Sequence, residues 1–191
     1  MLTPIGFVNA VLLAARLKSG GGTNTAPVCS TWVWLSRFST KRRLWYPLGD
    51  PHVPCVKDAN TMVSRVVAIM WVNCARGTFW FLEQPMNGLL EVHPRFQEFA
   101  KRHRVYRIAV SMGAFGGSSE KKTWIYSGHP WISELIDAQH KYGEYHGPAV
   151  ALYASVDGKV HGNKPELKLS QAYPVGFGMA VRDLYLAHKV G

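Results

Sequence analysis

Cysteine is scarce in this chain: Cys29, Cys55 and Cys74 are its three thiols, an odd number without close pairing that supports neither a disulfide framework nor a Cys-x-x-Cys zinc site. A reducing, intracellular setting, nuclear or cytoplasmic, is expected. Long apolar runs are also lacking. Val8–Leu17 is short and carries Arg16, and no later stretch approaches the ~20 residues of a membrane helix, so no membrane partner is expected. No basic segment precedes that run and Gly20-Gly21-Gly22 is a poor cleavage site, which argues against a signal peptide. Acidic residues are few, 12 Asp+Glu against 22 Lys+Arg, leaving a net charge of +10. Such an excess attracts polyanions, with nucleic acid first among them.

Common catalytic motifs are missing as well. There is no Gly-x-Ser-x-Gly nucleophile elbow. Gly116–Thr123 has no glycine just before its final lysine and precedes an expected strand, whereas a phosphate loop follows one. The eight histidines include His140 and His146, whose spacing is not that of paired ligands on a helix face, so no metal is expected.

What is present suits one globular domain spanning 1–191, with 47% hydrophobic residues and a length sufficient for one core. Gly6–Lys18 reads as a helix closed by the glycines that follow. Cys29–Leu35, rich in Thr, Val and Trp, favours a strand, and the basic stretch after it reads as a loop prolonged by Pro47, Gly49, Asp50, Pro51 and Pro54. From Val56 to Ala75 the positions Met62, Val63, Val66, Val67, Met70 and Trp71 recur at helical spacing, with Asn73 and Arg76 off the stripe and Gly77 as the stop. Thr78–Leu82 is a nearly continuous apolar run of the kind found in a strand covered on both faces. Glu83-Gln84-Pro85 then falls at the strand's carboxyl end, where open α/β sheets bind ligands. Leu89–His103 predicts a helix interrupted near Pro94, with Phe96 and Phe99 inward. Val105–Val110 and Trp124–Ser127 predict strands, Trp131–Ala138 a helix, Tyr142–Lys164 a hairpin around Asp157-Gly158, and Val175–His188 a last helix. This alternation predicts an α/β fold with a mostly parallel sheet flanked by helices.

Four pieces of the chain, in order, resemble the DNA cytosine-5 methyltransferase family. Pro27-Val28-Cys29-Ser30 is similar to that family's Pro-Cys loop, with Val28 inserted. Glu83-Gln84-Pro85 is similar to its Glu-Asn-Val segment. Gly113-Ala114-Phe115-Gly116 through Lys121-Lys122-Thr123-Trp124-Ile125-Tyr126 resembles its glycine turn, basic residues and apolar strand. Leu167–Gln171 with Tyr173-Pro174 and Gly178-Met179-Ala180-Val181 resembles its closing motifs. The phrase Leu82–Pro85 followed by His93-Pro94-Arg95-Phe96 is also similar to a large algal family that shares this remote likeness. No Phe-x-Gly-x-Gly loop precedes Cys29, so the resemblance begins partway through a methyltransferase domain.

The resemblance implies a Rossmann-like methyltransferase core, incomplete at its N-terminal side, acting on DNA with S-adenosylmethionine as methyl donor. It implies Cys29 as the nucleophile toward carbon 6 of cytosine, because the ring must become electron-rich before it takes a methyl group. Glu83 would stabilise the charge developing near ring nitrogen 3, with Lys122 supplying a cation and the base flipped from the duplex. Gly178 and Ala180 would line the cofactor site.

Independently of that resemblance, Arg37, Lys41, Arg42 and Arg43, with Trp34 before them and Trp45 and Tyr46 after, combine phosphate-neutralising charge with faces on which bases stack. Together with Lys121 they form the expected nucleic-acid contact. The alternative is a non-catalytic basic module that serves as a nucleic-acid or protein scaffold, encoded within a mobile element.

Overall fold

The computed structural model describes residues 1–142, 152–154, 160–162 and 172–188. The backbone falls into two compact units, Met1–Arg107 with Trp124–Pro130, and Ile108–Thr123 with Trp131–Lys189. Helix α1 (Pro4–Ala15) starts at Thr3, whose hydroxyl accepts from the Gly6 N–H at 3.1 Å, and has proline in its first turn, two standard start signals. Strand β1 (Gly22–Thr25) follows the glycine turn. Helix α2 (Arg37–Thr40) is a single turn, and α3 (Pro54–Arg76) is the longest element of the fold. Strand β2 (Phe79–Pro85) and helix α4 (Pro94–Arg102) complete the larger part of the first unit.

Beyond them come β3 (Tyr106–Ser111), β4 (Lys122–Ser127), α5 (Glu134–Asp137), β5 (Leu152–Ala154), β6 (Val160–Gly162) and α6 (Val175–His188). The main sheet has four strands in the order β1-β2-β4-β3 and is mixed and open, with helices flanking it. Strands β1 and β2 run parallel, with Gly22 opposite Phe79 and Thr25 opposite Leu82, and α3 is the crossover that parallel neighbours require. The expected mostly parallel sheet is therefore corrected to a mixed one. The link Met112–Lys121, with its short 3-10 turn Gly113–Phe115, is smaller than the roughly dozen residues of a crossover.

The long helix follows the apolar periodicity. Val56, Val63, Val66, Val67, Ile69 and Met70 are buried along one face, and Val63, Val66, Val67 and Met70 pack with Trp32, Trp80, Leu82, Leu90, Phe96, Phe99 and Tyr126 into the core of the first unit. Asn73, expected off the stripe, is instead fully buried. Its amide donates to the Ile69 carbonyl at 2.8 Å and its Oδ1 accepts from the Thr78 hydroxyl at 2.8 Å. An Asn satisfied on both sides is tolerated in a core that excludes an unpaired one. Gly77 ends the helix at φ 62°, a left-handed conformation that disfavours any side chain.

Cys29–Leu35 is not a strand. The Cys29 carbonyl accepts from the N–H groups of Trp32 and Val33, closing a turn, and Trp34–Ser36 forms a 3-10 turn. The extended preference of Trp and Val yields here to burial of Trp32, which is 0% exposed, because sheet propensity is dominated by context.

In the second unit Phe115 packs edge-on against Phe177, with ring centroids 5.5 Å apart, and Trp131 stacks on His188, whose Nε2 lies 2.8 Å from Glu134 Oε1. Gly176 passes so close to the Phe115 carbonyl that a Cβ there would lie 2.5 Å from its oxygen. Strands β5 and β6 pair antiparallel, Tyr153 opposite His161, as a hairpin there requires; the Asp157-Gly158 turn and Leu167–Gln171 lie outside the described residues.

Candidate functional site

The segment from Trp34 to Leu48 exposes apolar side chains on a scale that single surface residues do not reach. Trp34, Leu35, Phe38, Leu44, Trp45, Tyr46 and Leu48 are all exposed, Phe38 to 93% and Trp45 to 78%. Local geometry explains how they are held out. Arg43 and Tyr46 exchange backbone hydrogen bonds at 3.1 and 3.0 Å, so Leu44 and Trp45 occupy the tip of a tight two-residue turn. Phe38 rides on α2, where the Thr40 hydroxyl donates to the Ser36 carbonyl at 2.7 Å. The Arg37 guanidinium lies 6.0 Å from the Trp34 ring centroid and that of Arg43 lies 5.7 Å from Trp45, so cations and π faces alternate along the surface.

Arg42 has a different place from the one expected. It is 0% exposed and cannot reach a nucleic-acid backbone, which corrects its assignment to the binding set. Its Nη1 donates to the Pro47 carbonyl at 2.5 Å and to Asn60 Oδ1 at 2.9 Å, and its Nη2 reaches Thr31 Oγ1 and the Val56 carbonyl at 3.4 Å. Burial lowers its pKa to about 10, so it still carries its charge at neutral pH. Arg42 is the internal strut that ties the aromatic loop to α3. Asn60 assists by donating to the Leu48 carbonyl at 2.8 Å. Gly49, at φ 64°, closes the loop where a Cβ would lie 2.5 Å from the Thr40 carbonyl oxygen and 2.8 Å from Arg42 Cγ. Lys41 is exposed but pairs with Asp50 at 2.7 Å; that hydrogen bond raises the lysine pKa and lowers the aspartate's. Arg37 and Arg43 thus remain as the cations beside the rings.

The second place of interest is the carboxyl end of the parallel pair. The loop bearing Cys29 leaves β1 next to the end of β2 that bears Glu83, since Thr25 stands opposite Leu82. Gln84, 2% exposed, donates from Nε2 to the Pro27 carbonyl at 2.9 Å and so staples the two segments together. Cys29 is half-buried, whereas Glu83 is 4% exposed. Two segments far apart in sequence thereby become neighbours, with the Glu83 carboxylate covered.

Lys121 and Lys122 belong to the second unit. Lys122 is exposed at the start of β4, and the Lys121 ammonium lies 5.7 Å from the Tyr173 ring centroid. On α6, Gly178 is exposed with nothing within 4 Å of a built Cβ, while Ala180 is 1% exposed. The two sit on different faces of the helix and do not form one wall for an adenosyl cofactor. No group of three or more metal-ligating side chains occurs among the described residues, and no helix there is long and apolar enough to cross a membrane.

His93 is the residue that sequence reasoning passed over. It is 2% exposed, its Nδ1 accepts from the Arg95 N–H at 3.2 Å to cap α4, and its ring meets Trp32 edge-on with centroids 5.6 Å apart. Burial, reinforced by Arg42 and Arg95, lowers its pKa to about 4. The signal available was His-Pro at a helix start, where a side-chain acceptor is wanted.

A scan of protein-family models and searches of curated proteins and of solved structures found no match to this chain.

Proposed function

We propose that this protein binds nucleic acid, DNA in the first instance, by stacking unpaired bases on the exposed Trp34, Phe38 and Trp45 while Arg37 and Arg43 neutralise the adjoining phosphates. One observation carries this reading: a braced loop displays three large aromatic rings to solvent, two of them flanked by guanidinium groups. Exposing that much apolar surface is costly unless something covers it. A base offers a flat face to each ring and a phosphate to each cation, and the net charge of +10 strengthens the attraction. Arg42 and Asn60 keep the loop in shape, so little ordering entropy is lost on binding.

The test is fluorescence anisotropy with a single-stranded DNA and, in parallel, with heparin as a polyanion without bases. W34A/W45A is expected to weaken DNA binding by roughly five- to a hundredfold per stacked base lost, while heparin affinity changes little. Absence of DNA binding, or equal loss for both ligands, sinks the stacking reading.

A second reading, a remnant of cytosine-5 methyltransferase architecture, is favoured by the Gln84–Pro27 staple that sets the Cys29 loop beside the Glu83 strand end. In that reading the strand ends form a nucleobase pocket, and Glu83 must be uncovered before a base reaches it. Gly178 and Ala180 do not fit one cofactor wall, so the reading is of a base-binding relic in which no methyl-transfer step operates. Calorimetry with S-adenosylmethionine separates the two cases, since tight binding would restore the catalytic version.

A further inference from the structure

A cavity of about 480 Å³ opens between α3, the start of α4 and the loop at Leu48 and Pro51, within the first unit. Its charged lining residues are Lys57, Arg65 and Arg95, and no carboxylate lines it. Lys57 and Arg95 are exposed and form no ion pair among the described residues. Arg65 is partly engaged, because its Nη1 donates to the carbonyls of Met1, Leu2 and Thr3.

The wall behind this cavity is unusual in a second, independent way. Asn60 and His93 both line it, and Asn60 is hydrogen-bonded to Arg42, a fully buried guanidinium with no carboxylate among its partners. Three buried nitrogens gather there without a hydrogen-bond partner: Arg42 Nε, Trp32 Nε1 and His93 Nε2. All three are donors, since His93 Nδ1 is the acceptor for the Arg95 N–H and Nε2 must carry the proton of the neutral ring. Arg42 lies 3.5 Å from the Trp32 ring centroid, and the His93 ring meets Trp32 edge-on with centroids 5.6 Å apart. A buried cation whose hydrogen-bond partners are all neutral, beside several unanswered donors, is expensive in a protein interior. The opening of α4 adds the positive end of its backbone dipole.

We infer that this cavity is a binding site for a phosphoryl oxyanion, held by Lys57 and Arg95 at its mouth and attracted by the uncompensated guanidinium of Arg42 behind it. The dimensions accommodate a pyrophosphate or one phosphodiester with its sugar. The cavity adjoins the aromatic loop at Leu48 but is lined by none of Trp34, Arg37, Phe38, Arg43 or Trp45, so the two assignments stand or fall by different measurements.

The experiment is isothermal titration calorimetry of the full chain with inorganic pyrophosphate, repeated with K57A/R95A and with W34A/W45A. The wild-type chain is expected to bind, the K57A/R95A chain to lose roughly tenfold or more in affinity with its melting temperature unchanged, and the W34A/W45A chain to bind as wild type. No heat with the wild-type chain, undiminished binding by K57A/R95A, or loss of binding in W34A/W45A overturns the assignment. Titration of single-stranded DNA distinguishes the source of the phosphate: a backbone phosphodiester if K57A/R95A weakens DNA as much as pyrophosphate, a free phosphate ester if DNA affinity is unaffected. A supporting signal is movement of the Trp32 indole N–H resonance on adding pyrophosphate, which the stacking residues do not influence.

Discussion

The Arg42 guanidinium lies over the Trp32 ring, 3.5 Å from its centroid, and both side chains are fully withdrawn from solvent. Its neighbour Arg43 points outward to Trp45. Two adjacent arginines therefore have unrelated surroundings, one buried among hydrogen-bond acceptors and one exposed beside an indole.

Substitution separates the two. Arg42→Met removes donors to the Pro47 carbonyl and Asn60 Oδ1, both partly buried, so it is expected to cost about 2–4 kcal/mol in urea denaturation. Arg43→Glu is expected to change stability by less than about 0.5 kcal/mol while weakening nucleic-acid binding and flattening its dependence on salt. The reverse pattern would show that the strut has been misplaced.

Acid should destabilise the first unit through His93. Its pKa in the folded chain is lowered to about 4 by burial and by Arg42 and Arg95, so the unfolded chain binds a proton in a range where the folded one does not. Stability is full above the unfolded value near 6.5 and is lost as pH falls toward 4, a change on the order of 3 kcal/mol. His93→Asn retains an acceptor for the α4 cap and has no titrating ring, so its denaturation midpoint should vary less between pH 7 and pH 4.5.

The staple between the strand ends is equally open to test. Gln84→Leu keeps the volume but loses the donor to the Pro27 carbonyl, at an expected cost of about 1–3 kcal/mol. Faster hydrogen exchange or increased alkylation at Cys29 would report release of its loop, and a Cys29 that reacts as slowly as in the parent chain would show that the loop is held by other contacts.

A cap prediction concerns Gly77, which ends α3 at φ 62° with nothing within 4 Å of a built Cβ. Space is available, so the penalty of Gly77→Ala is purely conformational, about 1 kcal/mol by thermal denaturation. A larger loss would point to a contact that the open surroundings do not contain.

Much of the element order was legible from residue pattern alone. The stripe Val63, Val66, Val67 and Met70 specified α3 because an apolar face with helical spacing has one way to be buried, and the run Phe79–Leu82 specified β2 because a strand covered on both sides needs no polar alternation. Phe96 and Phe99 pointed inward for the same reason. Parallel pairing across the crossover helix brings the Cys29 loop beside the end of β2 that bears Glu83, with the carboxylate buried.

The fate of individual charges was not legible, because a run of Arg and Lys carries no record of which member finds buried acceptors. Arg42 was drawn inside by carbonyls and an amide that lie 5 to 18 positions away, and Lys41 was claimed by Asp50. His93 acquired its lowered pKa from the same packing. Composition and periodicity determined that this chain would be a basic α/β protein, since burial of apolar area depends on local spacing. The folded arrangement alone decided which cations face solvent and which donors lack acceptors, since hydrogen-bond partners and desolvation are properties of three-dimensional neighbours.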